Sequence, residues 1–170
     1  MRLFILAIAC VLVVWALWPR QSALTPSAQV PTFEQSRADS RVLEAAASSG
    51  TLREDPGRRE LRQAVLTAGN RLENSPCDKT VQLALRKATS ELMANLIRTR
   101  DEPIETYTID GRVVNATGFL NTAAITVMRE AQSSGVLRPG DMRGKPVAPD
   151  APLPPPSEDG FAGRYACRAN

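Results

Sequence analysis

The chain of 170 residues contains no histidine, which removes the side chain most often used as a general base near neutral pH and the commonest metal ligand. Cysteine is almost as scarce. Beyond Cys10, close to the N-terminus, only Cys77 and Cys167 are present, so a zinc site would have to be completed by carboxylates, and no spacing of carboxylates suggests one. There is no Cys-x-x-Cys pair, and lysine is confined to Lys79, Lys87 and Lys145. Ser75 and Lys79 stand four apart rather than at Ser-x-x-Lys spacing. The formal net charge of +3 is spread over segments of mixed sign, such as Arg53-Glu54-Asp55 and Arg98 to Glu102. Without a basic stripe, and with two tyrosines to offer for base stacking, the chain does not read as a nucleic-acid binder. No residue is therefore expected to act in catalysis, and no cofactor or metal is expected.

What the sequence does contain begins with Arg2, followed by an unbroken apolar run over residues 3–18 that Pro19-Arg20 closes. The run lies between the centre of a signal peptide, about 7–15 residues, and a spanning helix of roughly 20. Three features favour a retained anchor. Trp15 and Trp18 stand where indoles settle at the headgroup level, and Arg2 and Arg20 can reach outward from either end to lengthen the span. The cleavage context is also poor: Gln21-Ser22-Ala23 has a bulky first residue, and Pro26-Ser27-Ala28 has a proline there and lies far from the run. A cleaved signal peptide is the alternative. Ala7-Ile8-Ala9-Cys10 has the small residues of a lipid-modified signal, but the chain stays apolar to Trp18, so Cys10 reads as a small hydrophobe within the span. Arg2 and the free amino terminus outweigh Arg20, placing the N-terminus in the cytoplasm and the bulk of the chain outside it. The expectation is a single pass in the inner membrane with the remainder in the periplasm, a periplasmic or secreted protein being the alternative.

Four regions follow: an anchor or signal segment at 1–20, a spacer at 21–31, a small domain at 32–138 and a proline-rich tail at 139–170. Thr32-x-x-Gln35 has the form of a capping box before a helix running to Gly50, with Val42, Leu43 and several alanines as its apolar content. Asp55-Pro56 predicts a second helix, with Leu61, Val65, Ala68 and Leu72 at helical spacing and Gly69 as a weak point inside it. Ser75-Pro76-Cys77-Asp78 predicts a third, capped by Ser75, in which Val81, Leu85, Ala88, Leu92 and Leu96 keep one face apolar to Arg98. Asp110-Gly111, between two runs rich in Thr, Tyr, Ile and Val, predicts a β-hairpin. A fourth helix starts near Thr117, carries Leu120, Ala124, Val127, Met128 and Ala131 on one face, and ends at Ser133-Ser134-Gly135. Met128 there reads as core.

The tail holds most of the 13 prolines, including Pro154-Pro155-Pro156, and prefers an extended strap. Its P-x-x-P matches follow from proline density alone. Phe161, Tyr165 and Cys167 return at its end, which is expected to dock on the core. Cys77, read as the second residue of a helix beside Lys79, has the surroundings of an acidic thiol. Two lone cysteines in an oxidising compartment usually pair, so a Cys77–Cys167 disulfide is expected, with unpaired cysteines or a redox-active Cys77 as the alternatives. Asn115-Ala116-Thr117 matches a glycosylation acceptor but reads as a helix cap, and Glu102, Glu105 and Asp110 read as solvated carboxylates rather than an acid/base pair.

These readings combine into a mainly α fold: three to four short amphipathic helices with one small β-hairpin, an N-terminal membrane helix and a proline-rich C-terminal strap. The expected function is that of a non-enzymatic, membrane-tethered envelope protein whose extracytoplasmic domain binds an envelope partner. A secreted periplasmic binding protein and a thiol-redox protein using Cys77 are the alternatives.

Overall fold

A computed structural model describes residues 32–148 and 163–167. The span at 3–18 with Arg2, Trp15, Trp18 and Arg20, the spacer, Pro154 to Pro156 and Phe161 lie outside the described residues. Two units are distinguished, Met1–Ser36 and Arg37–Asn170, and all tertiary contacts below belong to the second. The elements in chain order are α1 (Phe33–Ser48), α2 (Pro56–Asn74), α3 (Lys79–Arg98), β1 (Thr106–Ile109), β2 (Arg112–Asn115), α4 (Thr117–Ser133) and a 3-10 turn at Asp141–Arg143. The fold is mainly α, four helices with a two-stranded antiparallel hairpin.

Local signals set most of the ends. Gln35 N–H donates to Thr32 Oγ1 at 3.3 Å, and Arg58 N–H donates to Asp55 Oδ1 at 2.7 Å, the latter capping α2 ahead of its Pro56. Gly50 and Gly135 adopt positive φ and stop α1 and α4 in the same way. Thr51 N–H bonds to Ala46 O and Gly50 N–H to Ala47 O, while Val136 N–H bonds to Ala131 O and Gly135 N–H to Gln132 O. The hairpin pairs Tyr107 with Val114 and Ile109 with Arg112, and Asp110 and Gly111 at its tip both have positive φ.

The start of α3 differs from the expected one. Ser75 does not cap it; its N–H closes α2 by bonding to Arg71 O and Leu72 O. Pro76 and Cys77 then form a turn, closed by Asp78 N–H donating to Ser75 O, and the carboxylate of Asp78 accepts from Thr80 N–H and Val81 N–H. A charged acceptor taking two amides outcompetes a hydroxyl three residues earlier. Cys77 therefore lies exposed in the turn between two helices and not in the first turn of a helix.

Helices α2, α3 and α4 enclose one core. Val65, Leu72, Leu85, Leu92, Ala124, Met128 and Ala131 are all at most 1% exposed, and Val136, Leu137 and Tyr165 complete the cluster. Burial of each large aliphatic side chain contributes about 1.5–3 kcal/mol. A smaller core forms where α1 meets the hairpin and the start of α4, from Leu43, Ala46, Leu52 and Ala116, with Tyr107, Val114, Phe119 and Leu120 around it. Val42, expected to be part of the buried face of α1, is 39% exposed; Asp39, on the buried side, instead accepts from Arg112 Nη2 of β2 at 2.9 Å. Gly69 is also a point of close contact: a Cβ there would stand 2.6 Å from Val127 Cγ1, so a side chain at this position would press α4 away from α2.

Replacing Leu85 or Leu92 by alanine is expected to cost about 2–5 kcal/mol through the cavity left behind. Denaturant unfolding of each variant measures it, and an unchanged midpoint would show that the core does not depend on this face of α3.

Candidate functional site

The two ends of the three-helix bundle are built differently. At the end formed by the first turns of α2 and α4 and the last turn of α3, polar side chains fill the interior. Glu105, just before β1, has a fully buried side chain, and its two oxygens are taken by two guanidiniums: Arg58 Nη1 at 3.0 Å and Arg62 Nη1 at 2.6 Å. Arg62 also donates to Glu54 Oε2 at 2.8 Å, which Arg59 Nε shares at 3.1 Å. Arg58 extends the network with Nε on Asn95 Oδ1 at 3.1 Å, Nη1 on Thr117 Oγ1 at 3.3 Å and Nη2 on Thr99 Oγ1 at 2.5 Å. The guanidinium thus sits against the C-terminal turn of α3, where the backbone dipole favours a cation. The main chain of Glu105 takes part as well, its carbonyl accepting from Ala116 N–H at 2.7 Å. One residue outside regular structure so joins α2, the end of α3 and the start of α4, and positions the hairpin that follows it.

A second buried pair lies along α3. Arg86 Nε and Nη2 donate to Asp141 Oδ2 and Oδ1 at 2.9 and 3.3 Å, and Arg138 N–H donates to Oδ2 at 2.9 Å. Ser90 Oγ donates to Lys145 O. Gly144, at positive φ, passes so close to Ala94 that a Cβ would lie 2.6 Å from the Ala94 nitrogen. The chain from Arg138 to Lys145 therefore packs on a polar face of α3 that carries Gln82, Arg86, Thr89 and Ser90, all buried.

At the other end of the bundle Cys77 and Cys167 form a disulfide, with Cα atoms 4.7 Å apart and 90 residues between them in sequence. Two residues before Cys167, Tyr165 is 2% exposed within the main core, its hydroxyl over Gly69. Gly163 lies against Ser134, where a Cβ would stand 2.5 Å from Oγ. Burial, then the carboxylates of Glu130 and Glu73, raise the Tyr165 phenol above its ordinary value of 10.0, against a smaller opposing effect of Arg164.

Cys77 and Cys167 thus meet as the sequence indicated, and Tyr165 docks beside them. Glu102 and Asp110 are exposed as expected. Glu105 is not a solvated residue: the two arginines make its complete burial tolerable, and nothing in its immediate sequence marks them as partners. The residues that sequence reasoning missed are Arg58, Arg62, Arg86 and Asp141. A signal was available for the first two, because Arg58, Arg62, Val65, Gly69 and Leu72 continue one buried helical stripe. Asn115 Oδ1 accepts from Thr117 N–H at 2.9 Å, but the residue at the N-cap of α4 is Ala116 and no side chain caps the helix from there; the Thr117 hydroxyl accepts from Arg58 instead. Among the described residues no group of three or more His, Cys, Asp or Glu side chains could hold a metal ion.

Glu105→Ala leaves two buried guanidiniums without their shared counter-charge and is expected to lower stability by about 3–5 kcal/mol. Removing the exposed Arg100–Asp101 pair should change it by less than about 1 kcal/mol. Equal costs in denaturant unfolding would contradict this assignment. Docking of Tyr165 has its own pH signature. The unfolded phenol ionises first, so this contribution to stability is whole below about pH 10 and is lost as pH rises through the raised folded value. Phenolate absorbance should show one step above the ordinary tyrosine range that Tyr165→Phe abolishes; its absence would place the ring in water.

No protein-family model, no curated protein and no solved structure matches the chain.

Proposed function

We propose that the protein is a non-enzymatic, membrane-tethered envelope protein, held in the inner membrane by residues 3–18, with its domain in the periplasm, where it binds another envelope protein. The observation that carries this reading is the combination of the apolar N-terminal run with the Cys77–Cys167 bridge. Disulfides persist in compartments outside the reducing cytoplasm, and the N-terminal run is the element that would deliver the domain to one. Among the described residues no helix is long and apolar enough to cross a membrane. A non-catalytic role is supported by how the buried ionisable groups are used: Glu105, Arg58, Arg62, Arg86 and Asp141 are engaged with one another and hold elements together.

Cell fractionation tests the reading. The protein should remain with membranes after carbonate extraction, keep its N-terminus, be digested by protease added to spheroplasts, and crosslink in intact cells to an envelope protein. Recovery as a soluble protein with a new N-terminus between Gln21 and Gln29 would contradict the tether and favour the secreted alternative. Protection from external protease would contradict the location.

A further inference from the structure

The Cys77–Cys167 bond and the ring it secures differ in exposure. Cys77 is exposed in the turn between α2 and α3 and Cys167 is partly exposed, whereas Tyr165 is 2% exposed inside the main core. Two glycines shape this arrangement: Gly69 lets Val127 of α4 close onto α2 beneath the Tyr165 hydroxyl, and Gly163 leaves room for Ser134. Among the described residues the other attachments of 163–167 are weak. The segment's backbone hydrogen bond, Ala166 N–H to Gly163 O, is internal to it, and Arg164 stands 3.7 Å from Glu73 and 3.9 Å from Glu130 at more than half exposure. One buried ring must then offset the ordering of five backbone residues, which leaves the docked segment near balance without its covalent link. The helices do not share this dependence, since Val65, Leu72, Leu85, Leu92 and Met128 pack on one another.

We propose that residues 163–167 are a redox-latched plug: reduction of the exposed Cys77–Cys167 bond by a dithiol releases Tyr165 and opens the apolar site its ring occupies against α2 and α4, where Gly69 meets Val127. The chemistry is thiol–disulfide exchange. A thiolate of the dithiol attacks the Cys77 sulfur, forming a mixed disulfide, and Cys167 leaves as a thiolate and takes up a proton. The second thiol of the reductant then attacks its own sulfur in the mixed disulfide and displaces Cys77. Two electrons have passed to the bridge, leaving two cysteine thiols and an oxidised reductant. Exposed bridges of this kind are the ones open to exchange.

Hydrogen exchange at neutral pH on the full chain, oxidised and after treatment with dithiothreitol, tests the proposal. After reduction the Ala166 amide should lose its protection and the Tyr165 ring should become accessible to solvent, while Leu85 and Leu92 in α3 keep their protection and the far-ultraviolet helical signal is unchanged. The full chain carrying C77S and C167S should match the reduced protein. Protection of Ala166 and burial of the Tyr165 ring that survive complete reduction would overturn the latch, because the plug would hold without it. Loss of protection in α3, or failure of the double variant to fold, would overturn it in the other direction, making the bridge a staple of the whole domain.

Discussion

Glu105 is the hinge of this architecture. Its carboxylate has no contact with water and two arginines on α2 share it, one of which also reaches the end of α3 and the start of α4. Moving such a set of charges out of water costs several kcal/mol per ion, and the mutual attraction returns this only when the geometry is good and the remaining donors find acceptors. Here Arg58 donates to Asn95, Thr99 and Thr117 as well as Glu105. The cluster need not make the protein more stable than an apolar substitute would. Its effect is directional: a leucine in place of Arg58 could pack in several ways, whereas this hydrogen-bonding pattern is satisfied by one arrangement of the helix ends and the hairpin.

That arrangement matters because the domain has two cores. The larger, between α2, α3 and α4, is closed at the far end by Tyr165 and the disulfide; the smaller, between α1 and the hairpin, contains few large side chains. A two-stranded hairpin is marginal by itself, and α1 buries little more than Leu43 and Ala46. The hairpin leaves Glu105 on one side and returns at Ala116, whose N–H bonds to the Glu105 carbonyl. Both the charged cluster and this one backbone bond therefore stand at the base of the smaller core, and the Asp39–Arg112 pair carries the same connection out to α1.

What the sequence made legible, and what it hid, follows from the kind of force at each place. Apolar periodicity reports burial of carbon, so the stripes of α2, α3 and α4 could be read, as could the Asp110-Gly111 turn, which depends on backbone conformation alone. The Cys77–Cys167 pairing was open to elimination, there being no other cysteine beyond Cys10. Polar burial carries no such mark. Arg62 on the inner face of α2 and Arg59 on its outer face are the same residue type, and the difference between them is Glu105, more than forty residues away. The polar face of α3, with Gln82, Arg86 and Ser90, likewise became interior only because the chain after α4 returns to cover it. The misplaced cap at Ser75 was a competition between two good caps three residues apart, settled in favour of the carboxylate that bonds two amides.

If the Glu105 cluster makes the two cores one cooperative structure, equilibrium unfolding followed at two places will show it. One probe reports on Val114 in the hairpin and the other on Leu92 in α3, in the natural protein and in Glu105→Gln. A single coincident transition is expected in the natural protein and, in the variant, loss of the hairpin signal at a lower denaturant concentration than the helical one. Coincident transitions in both proteins would contradict it, since the two cores would then be coupled by something other than the buried charges.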